Sequence, residues 1–83
     1  MGITKFNFID KKIIVTGGTR GIGEGIVKAF SQAGAKVFFL GLDTSRGEIL
    51  ESRLRSENLK VSFSQCDVTN EEQVKEVYKK IVD

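Results

Sequence analysis

Eighty-three residues, 40% hydrophobic and 29% charged with nine glycines, have a soluble globular composition that excludes collagen-like, low-complexity and compositionally disordered classes. One cysteine and no histidine exclude an internal disulfide and a His-based or multi-Cys metal site, the usual staples of so small a chain. Thirteen Lys+Arg against eleven Asp+Glu give a net charge of +2 with no basic run longer than a pair, which argues against a nucleic-acid partner.

The first element is Lys12 to Thr16, where the run Ile13-Ile14-Val15 breaks off into glycines as a buried parallel strand does. From Gly21 to Ala33 the apolar positions Ile22, Ile26, Ala29, Phe30 and Ala33 follow helical spacing, and Gly34 stands where a left-handed cap belongs. Lys36 to Leu40 is a second strand. Its run Val37-Phe38-Phe39-Leu40 is the longest apolar stretch and far too short to span a membrane. Ser45 with Glu48 forms a capping box for a helix running to about Asn58, whose thin apolar face (Ile49, Leu50, Leu54) puts it on the outside. Leu59, Val61 and Phe63 alternate with Lys60, Ser62 and Ser64 as a less buried strand. Thr69 with Glu72 forms a second capping box, after which Val74, Val77, Tyr78 and Ile81 share one helix face.

No proline, linker or repeat interrupts this order. Strands and helices alternating through short connections require parallel strands and right-handed crossovers. The fold class is α/β, in β-α-β-α-β-α order, as one half of a doubly wound sheet. No signal peptide precedes the first strand, and Phe6 stands where a myristoylation signal at Gly2 needs Ser or Thr. A cytoplasmic protein without a membrane partner is expected.

Chemistry concentrates in Thr16 to Gly23, T-G-G-T-R-G-I-G, between the first strand and the first helix. Gly17 permits a tight turn off the strand. Gly21 and Gly23 remove side chains where a ligand approaches and where the helix packs. Unpaired N–H groups and the dipole at that helix start suit a pyrophosphate. The bland alternative is a loop that needs positive φ angles. The spacing, Gly-x3-Gly-x-Gly, differs from G-x-G-x-x-G, and no Gly-Lys-Ser/Thr follows to make a P-loop.

This turn, together with Gly34-Ala35-Lys36-Val37 and Cys66-Asp67-Val68-Thr69, resembles the short-chain dehydrogenase/reductase family, particularly its 3-oxoacyl-carrier-protein-reductase-like members. The resemblance runs from Phe8 onward and implies the N-terminal half of a Rossmann fold, a three-layer αβα sandwich, with residues 1–83 forming one dinucleotide-binding part that stops before the fourth strand. It implies that Gly17, Gly21 and Gly23 line the pyrophosphate turn, with Gly18, Thr19 and Ile22 close to the cofactor. Asp67 is then expected to hold the adenine amino group, and the Val68 backbone to touch the adenine ring. A solvated Asp at a strand end is the alternative for Asp67.

Cofactor choice is divided between NADP(H) and NAD(H). NAD-using relatives end the second strand in an Asp that binds the ribose hydroxyls. Here that position is Gly41, which leaves room for a 2′-phosphate, and Arg20 stands where NADP-preferring relatives carry a basic residue able to bind it bidentately. Leu42, where many NADP users carry Arg, and Asp43, on the same strand face if the strand continues, point the other way. The balance favours NADP(H).

Cys66 reads as a small buried residue and Tyr78 as core. The family's Asn-Asn-Ala-Gly stretch, Ser, Tyr-x3-Lys pair and further Asn are absent; four residues after Tyr78 stands Val82. Residues 1–83 therefore contain no catalytic residue and are expected not to turn over alone, since hydride transfer to a carbonyl needs a proton donor. The resemblance implies an oxidoreductase moving hydride between a nicotinamide cofactor and a small carbonyl or alcohol substrate, as a homo-oligomer. In the family's strand order the Ile13–Val15 strand is central, so its free edge here invites pairing, and a longer parent chain is expected. The rival reading is a non-catalytic dinucleotide-binding or assembly module built on the same turn.

Overall fold

The three apolar runs form three strands of one parallel sheet, β1 (Lys12–Thr16), β2 (Lys36–Gly41) and β3 (Val61–Gln65), in the order β1-β2-β3. Between and after them lie the helices α1 (Gly21–Gln32), α2 (Thr44–Ser56) and α3 (Glu71–Val82). The computed structural model describes residues 9–17 and 21–82, so Gly18, Thr19 and Arg20 lie outside the described residues, as does the side chain of Ile22. The element order is that of the N-terminal half of a Rossmann sheet.

Register sorts the side chains into rows. Ile13, Val37 and Val61 stand side by side, and two residues further on so do Val15, Phe39 and Phe63. Because successive side chains alternate between faces, these two rows share one face. Val27, Leu50 and Leu54 cover it, with Phe30 and Leu59 at the margin, which makes α1, α2 and this face a single core. The opposite face carries Lys12, Ile14 and Leu40 by the same alternation. The Nζ of Lys12 donates to the carbonyl of Ile81 at 2.9 Å, which places the end of α3 on that side. The sheet is thus sandwiched as the alternation of elements implies.

Helix azimuths differ from the sequence expectation. In α1 the fully buried residue is Val27, on a stripe with half-buried Gly23 and Phe30 and buried Ser31, whereas Ile26 and Ala29 are exposed. A glycine and a serine on the inner stripe weakened its apolar signal, and Ile26 drew the reading about 100° round the helix. In α2 the inner residues are Gly47, Leu50 and Leu54, and Ile49 is 66% exposed. In α3 Ile81 is buried, Val74 and Val77 are half-buried, and Tyr78 is 56% exposed and not a core residue. The inner line of α3 runs through 74, 77 and 81, and Tyr78 falls on its flank.

Caps differ too. Asp43, not Ser45, caps α2: its carboxylate accepts from the Arg46 N–H at 3.0 Å. Asn70, not Thr69, caps α3, its Oδ1 accepting from the N–H groups of Glu72 at 3.0 Å and Gln73 at 3.2 Å. The expected end of α1 holds. Gly34, at φ +101°, donates to the Ser31 carbonyl while Ala35 donates to Phe30, a Schellman closure. Asn58, at φ +65°, closes α2 with the same pair of bonds, to Arg55 and, from Leu59, to Leu54.

The outer edge of β3 is covered by α2. The Phe63 N–H donates to the Glu51 carboxylate at 2.8 Å, and Nε of Arg55 donates to the Val61 carbonyl at 2.9 Å. Side chains thus occupy main-chain groups that would otherwise template another strand. An Arg53–Glu24 ion pair ties α2 to α1.

Lys12→Met is expected to cost about 0.5–1.5 kcal/mol, because it removes a cation from the last carbonyls of α3 while keeping the side-chain stem. Amide hydrogen exchange should quicken in the last turn of α3 and stay unchanged in α1. Uniform exchange would show that the bond adds nothing.

Candidate dinucleotide site

All three strands finish at one pole, where pairing continues a residue further. The Gly17 N–H donates to the Leu40 carbonyl and the Cys66 N–H to the Gly41 carbonyl, each at 2.9 Å. Gly17 takes φ +72°, so the chain leaves β1 in a conformation that side-chain-bearing residues seldom adopt. Beyond these ends lies an open depression of about 450 Å³. Gly17 and Gly41 contribute backbone to its wall, Leu42 and Asp43 come from the loop into α2, and Cys66, Asp67, Val68 and Thr69 from the loop into α3. Ligands of open α/β sheets bind at such carboxyl ends.

Six expected cofactor residues therefore meet at one place: Gly17, Gly41, Leu42, Asp43, Asp67 and Val68. Gly21 and Gly23 begin α1, the first exposed and the second half-buried, and are not among the described residues that line the depression. Asp43 is not on a strand face, because β2 ends at Gly41. Its carboxylate sits instead at the N-terminus of α2, where the helix dipole favours negative charge.

Asp67 is the polar centre of the site. Its Oδ1 accepts from the Thr69 hydroxyl at 2.6 Å and from the Thr69 N–H at 3.0 Å. The hydroxyl and then the N–H hold its carboxyl below the usual carboxylate range, against a smaller opposing effect of burial. Folding stability from these bonds is therefore complete above the ordinary Asp value of about 3.9 and is lost as pH falls through the lowered one. Thr69 and Cys66 were not expected in the wall. Thr69 was hidden because Thr three residues before Glu reads as a cap. Cys66 is buried as expected, and its place in the wall follows only from where β3 ends.

Among the described residues there is no cluster of His, Cys, Asp or Glu suited to a metal, and no helix long and apolar enough to cross a membrane. A doubly wound half-sheet with an open depression at its carboxyl ends, entered by glycine at two of the three strand ends, is the architecture of the dinucleotide-binding class. The chain belongs to the short chain dehydrogenase family, which residues 11–83 match.

It is similar to the 3-oxoacyl-acyl-carrier-protein reductase of Chlamydia pneumoniae, 44% identical over 75 residues that make up 90% of this chain and 30% of that protein. The L-fucose dehydrogenase of Bos taurus is 46% identical over 68 residues, 82% of this chain and 24% of that one. Among solved structures, gox2181 superposes with a TM-score of 0.87 at 34% identity, covering 98% of this chain and 32% of that one. The 2-keto-3-deoxy-D-gluconate dehydrogenase of Streptococcus agalactiae does so with a TM-score of 0.82 at 30% identity, covering 96% and 30%. The chain thus spans about a third or less of the length of these relatives.

Proposed function

We propose that this chain is the NADP(H)-binding half of a cytoplasmic, homo-oligomeric short-chain oxidoreductase that moves hydride between nicotinamide and a small carbonyl or alcohol, with 3-oxoacyl-carrier-protein reduction as its reaction type. The observation that carries the reading is the meeting of Gly41 and Asp67 across one depression at the strand ends. Asp67 is a fixed, ionised acceptor suited to the adenine amino group, and the exposed Val68 offers its backbone to the ring. Gly41 brings no carboxylate to the wall, so a 2′-phosphate meets no adjacent negative group from β2. The Asp43 charge is held by the start of α2. The fit is to the adenosine half of the cofactor: a depression with glycine backbone at the ends of β1 and β2 and two carboxylates in its wall, Asp67 and the Asp43 that caps α2. Arg20, Gly18, Thr19 and Ile22 complete the phosphate side in this proposal, with Gly21 and Gly23 at the helix start. The nicotinamide supplies the hydride when bound. Tyr78, the sole phenol, is not among the described residues that line the depression, which supports a reading in which residues 1–83 supply binding and not proton transfer.

Titration of the chain with NADPH and NADH, followed by nicotinamide fluorescence, tests this. NADPH is expected to bind about 10–100-fold more tightly, the worth of one charge-assisted contact to the extra phosphate. Equal affinities would overturn the cofactor assignment, and binding of neither would overturn the site.

A further inference from the structure

Each strand is entered through a lysine, and the three recur at one interval: Lys12, Lys36 and Lys60, one every 24 residues. Lys12 stands beside Lys36. The Lys60 carbonyl accepts from the Val37 N–H at 2.9 Å, which carries the pairing of β2 and β3 back to Lys36 and Lys60. All three therefore lie in one row on the α3 side of the sheet, at strand spacings of about 4.8 Å. Like charges directly opposite on neighbouring strands destabilise a sheet, so this row costs stability unless something offsets it. Lys12 is offset by the Ile81 carbonyl at the end of α3. No helix end does the same for Lys36 and Lys60, because α1 and α2 cover the other face. The Nζ of Lys36 lies 5.5 Å from the centre of the Phe38 ring, and the Lys60 side chain has no partner among the described residues.

Lys36 and Lys60 line an open depression of about 520 Å³ at the outer corner of the sheet. Arg55, Asn58 and Ser62 complete its polar lining, and no acidic side chain is among the described residues there. Arg55 is fixed in place, its Nε donating to the Val61 carbonyl at 2.9 Å and its Nη2 to the Ser62 hydroxyl oxygen at 3.2 Å. The Glu51 carboxylate lies 3.6 Å from Nη2, but the same oxygen accepts from the Phe63 N–H at 2.8 Å. Because the Ser62 oxygen accepts from Arg55, its proton is left to donate elsewhere.

We propose that Lys36, Arg55, Lys60 and Ser62 form a second anion site, at the pole opposite the dinucleotide depression, and that it takes a phosphate-bearing anion. A tetrahedral anion of two or more charges uses what this corner offers, a fixed guanidinium fork, two ammonium groups and a hydroxyl proton. A lone carboxylate needs one of the three cations and leaves the others unshielded. Occupancy also removes the repulsion within the row, so the anion stabilises the fold by linkage.

The test is a titration of the full chain, nitrogen-15 labelled, with inorganic pyrophosphate at about 0.1 M ionic strength, where charge attraction is screened beyond about 10 Å. Amide shifts are expected to concentrate at Lys36, Lys60 and Ser62, with a dissociation constant of about 1 mM or tighter. Lys36→Met and Lys60→Met, both at exposed positions and both keeping the side-chain stem, should each weaken binding about 3–10-fold. Lys28→Met removes an equal charge from the exposed side of α1 and should change it less than about twofold. Glycerol phosphate carries the same oxyanion as an ester. Binding within about threefold of pyrophosphate means that one phosphate group fills the site, and a larger preference for pyrophosphate means that a diphosphate does.

Citrate binding as tightly as pyrophosphate would leave charge alone and overturn the phosphate assignment. Shifts confined to Gly17 and Asp67 would send the anion to the dinucleotide depression instead. That result, equal weakening by Lys28→Met, or no binding up to about 20 mM would each overturn the second site.

Discussion

Replacing Gly47 by valine is expected to lower stability by about 2–3 kcal/mol, although valine forms helix better than glycine does. Gly47 lies in the inner stripe of α2, and a Cβ built on it comes within 2.3–2.4 Å of three atoms of the Phe63 ring. The ring cannot swing away without cost. It packs against fully buried Phe39 at a centroid distance of 5.3 Å. Nor can the helix back off freely, because one and two turns further along it Glu51 and Arg55 bond to the main chain of β3 at Phe63 and Val61. Overpacking therefore wins over helix propensity.

Gly25, in α1, is exposed with nothing within 4 Å of its missing Cβ. Gly25→Ala should raise stability by about 0.5–1 kcal/mol through propensity alone. Urea unfolding of the two variants checks the opposite signs. Adding Phe63→Leu to Gly47→Val should recover part of the loss as a coupling above about 0.5 kcal/mol. Additive losses would mean that the close approach is not what Gly47 provides.

Gly41→Asp is expected to invert cofactor preference. The side chain enters the wall of the depression at the end of β2, where a carboxylate accepts from ribose hydroxyls but repels a 2′-phosphate. Two unit charges about 5 Å apart at an effective dielectric constant of about 20 repel by about 3 kcal/mol. That corresponds to a loss of more than about 100-fold in NADPH affinity, with NADH affinity held or improved. Fluorescence titration of both cofactors measures the ratio, and Gly41→Ala separates the effect of charge from that of bulk. An unchanged ratio in Gly41→Asp would place the 2′-phosphate away from β2.

Element order, strand identity and the family were legible because each depends on residues within a few positions of one another. Ile13-Ile14-Val15 breaking into glycine announces a buried strand, and T-G-G-T-R-G-I-G is a local turn motif. Gly34 as a helix stop is equally local, since its φ of +101° suits glycine whatever lies across the sheet. Six residues of the candidate site were legible for a related reason: strands that run parallel must bring their carboxyl ends to one pole.

Tertiary structure decided what local pattern left open. Which stripe of a helix turns inward depends on strands that lie outside the helix's own repeat along the chain. That is why Val27 and not Ile26 meets the sheet, and why Ile49 and Tyr78 face outward. Competition between nearby hydrogen-bond acceptors decided the caps. Asp43 outcompetes Ser45, and Thr69 gives its hydroxyl to Asp67 and leaves the start of α3 to Asn70. Local patterns of residues suffice for the elements, their order and the family. Only the packed sheet decided which side chains meet, because contacts such as Lys12 with Ile81, or Gly47 with Phe63, join residues whose separation along the chain carries no periodic signal.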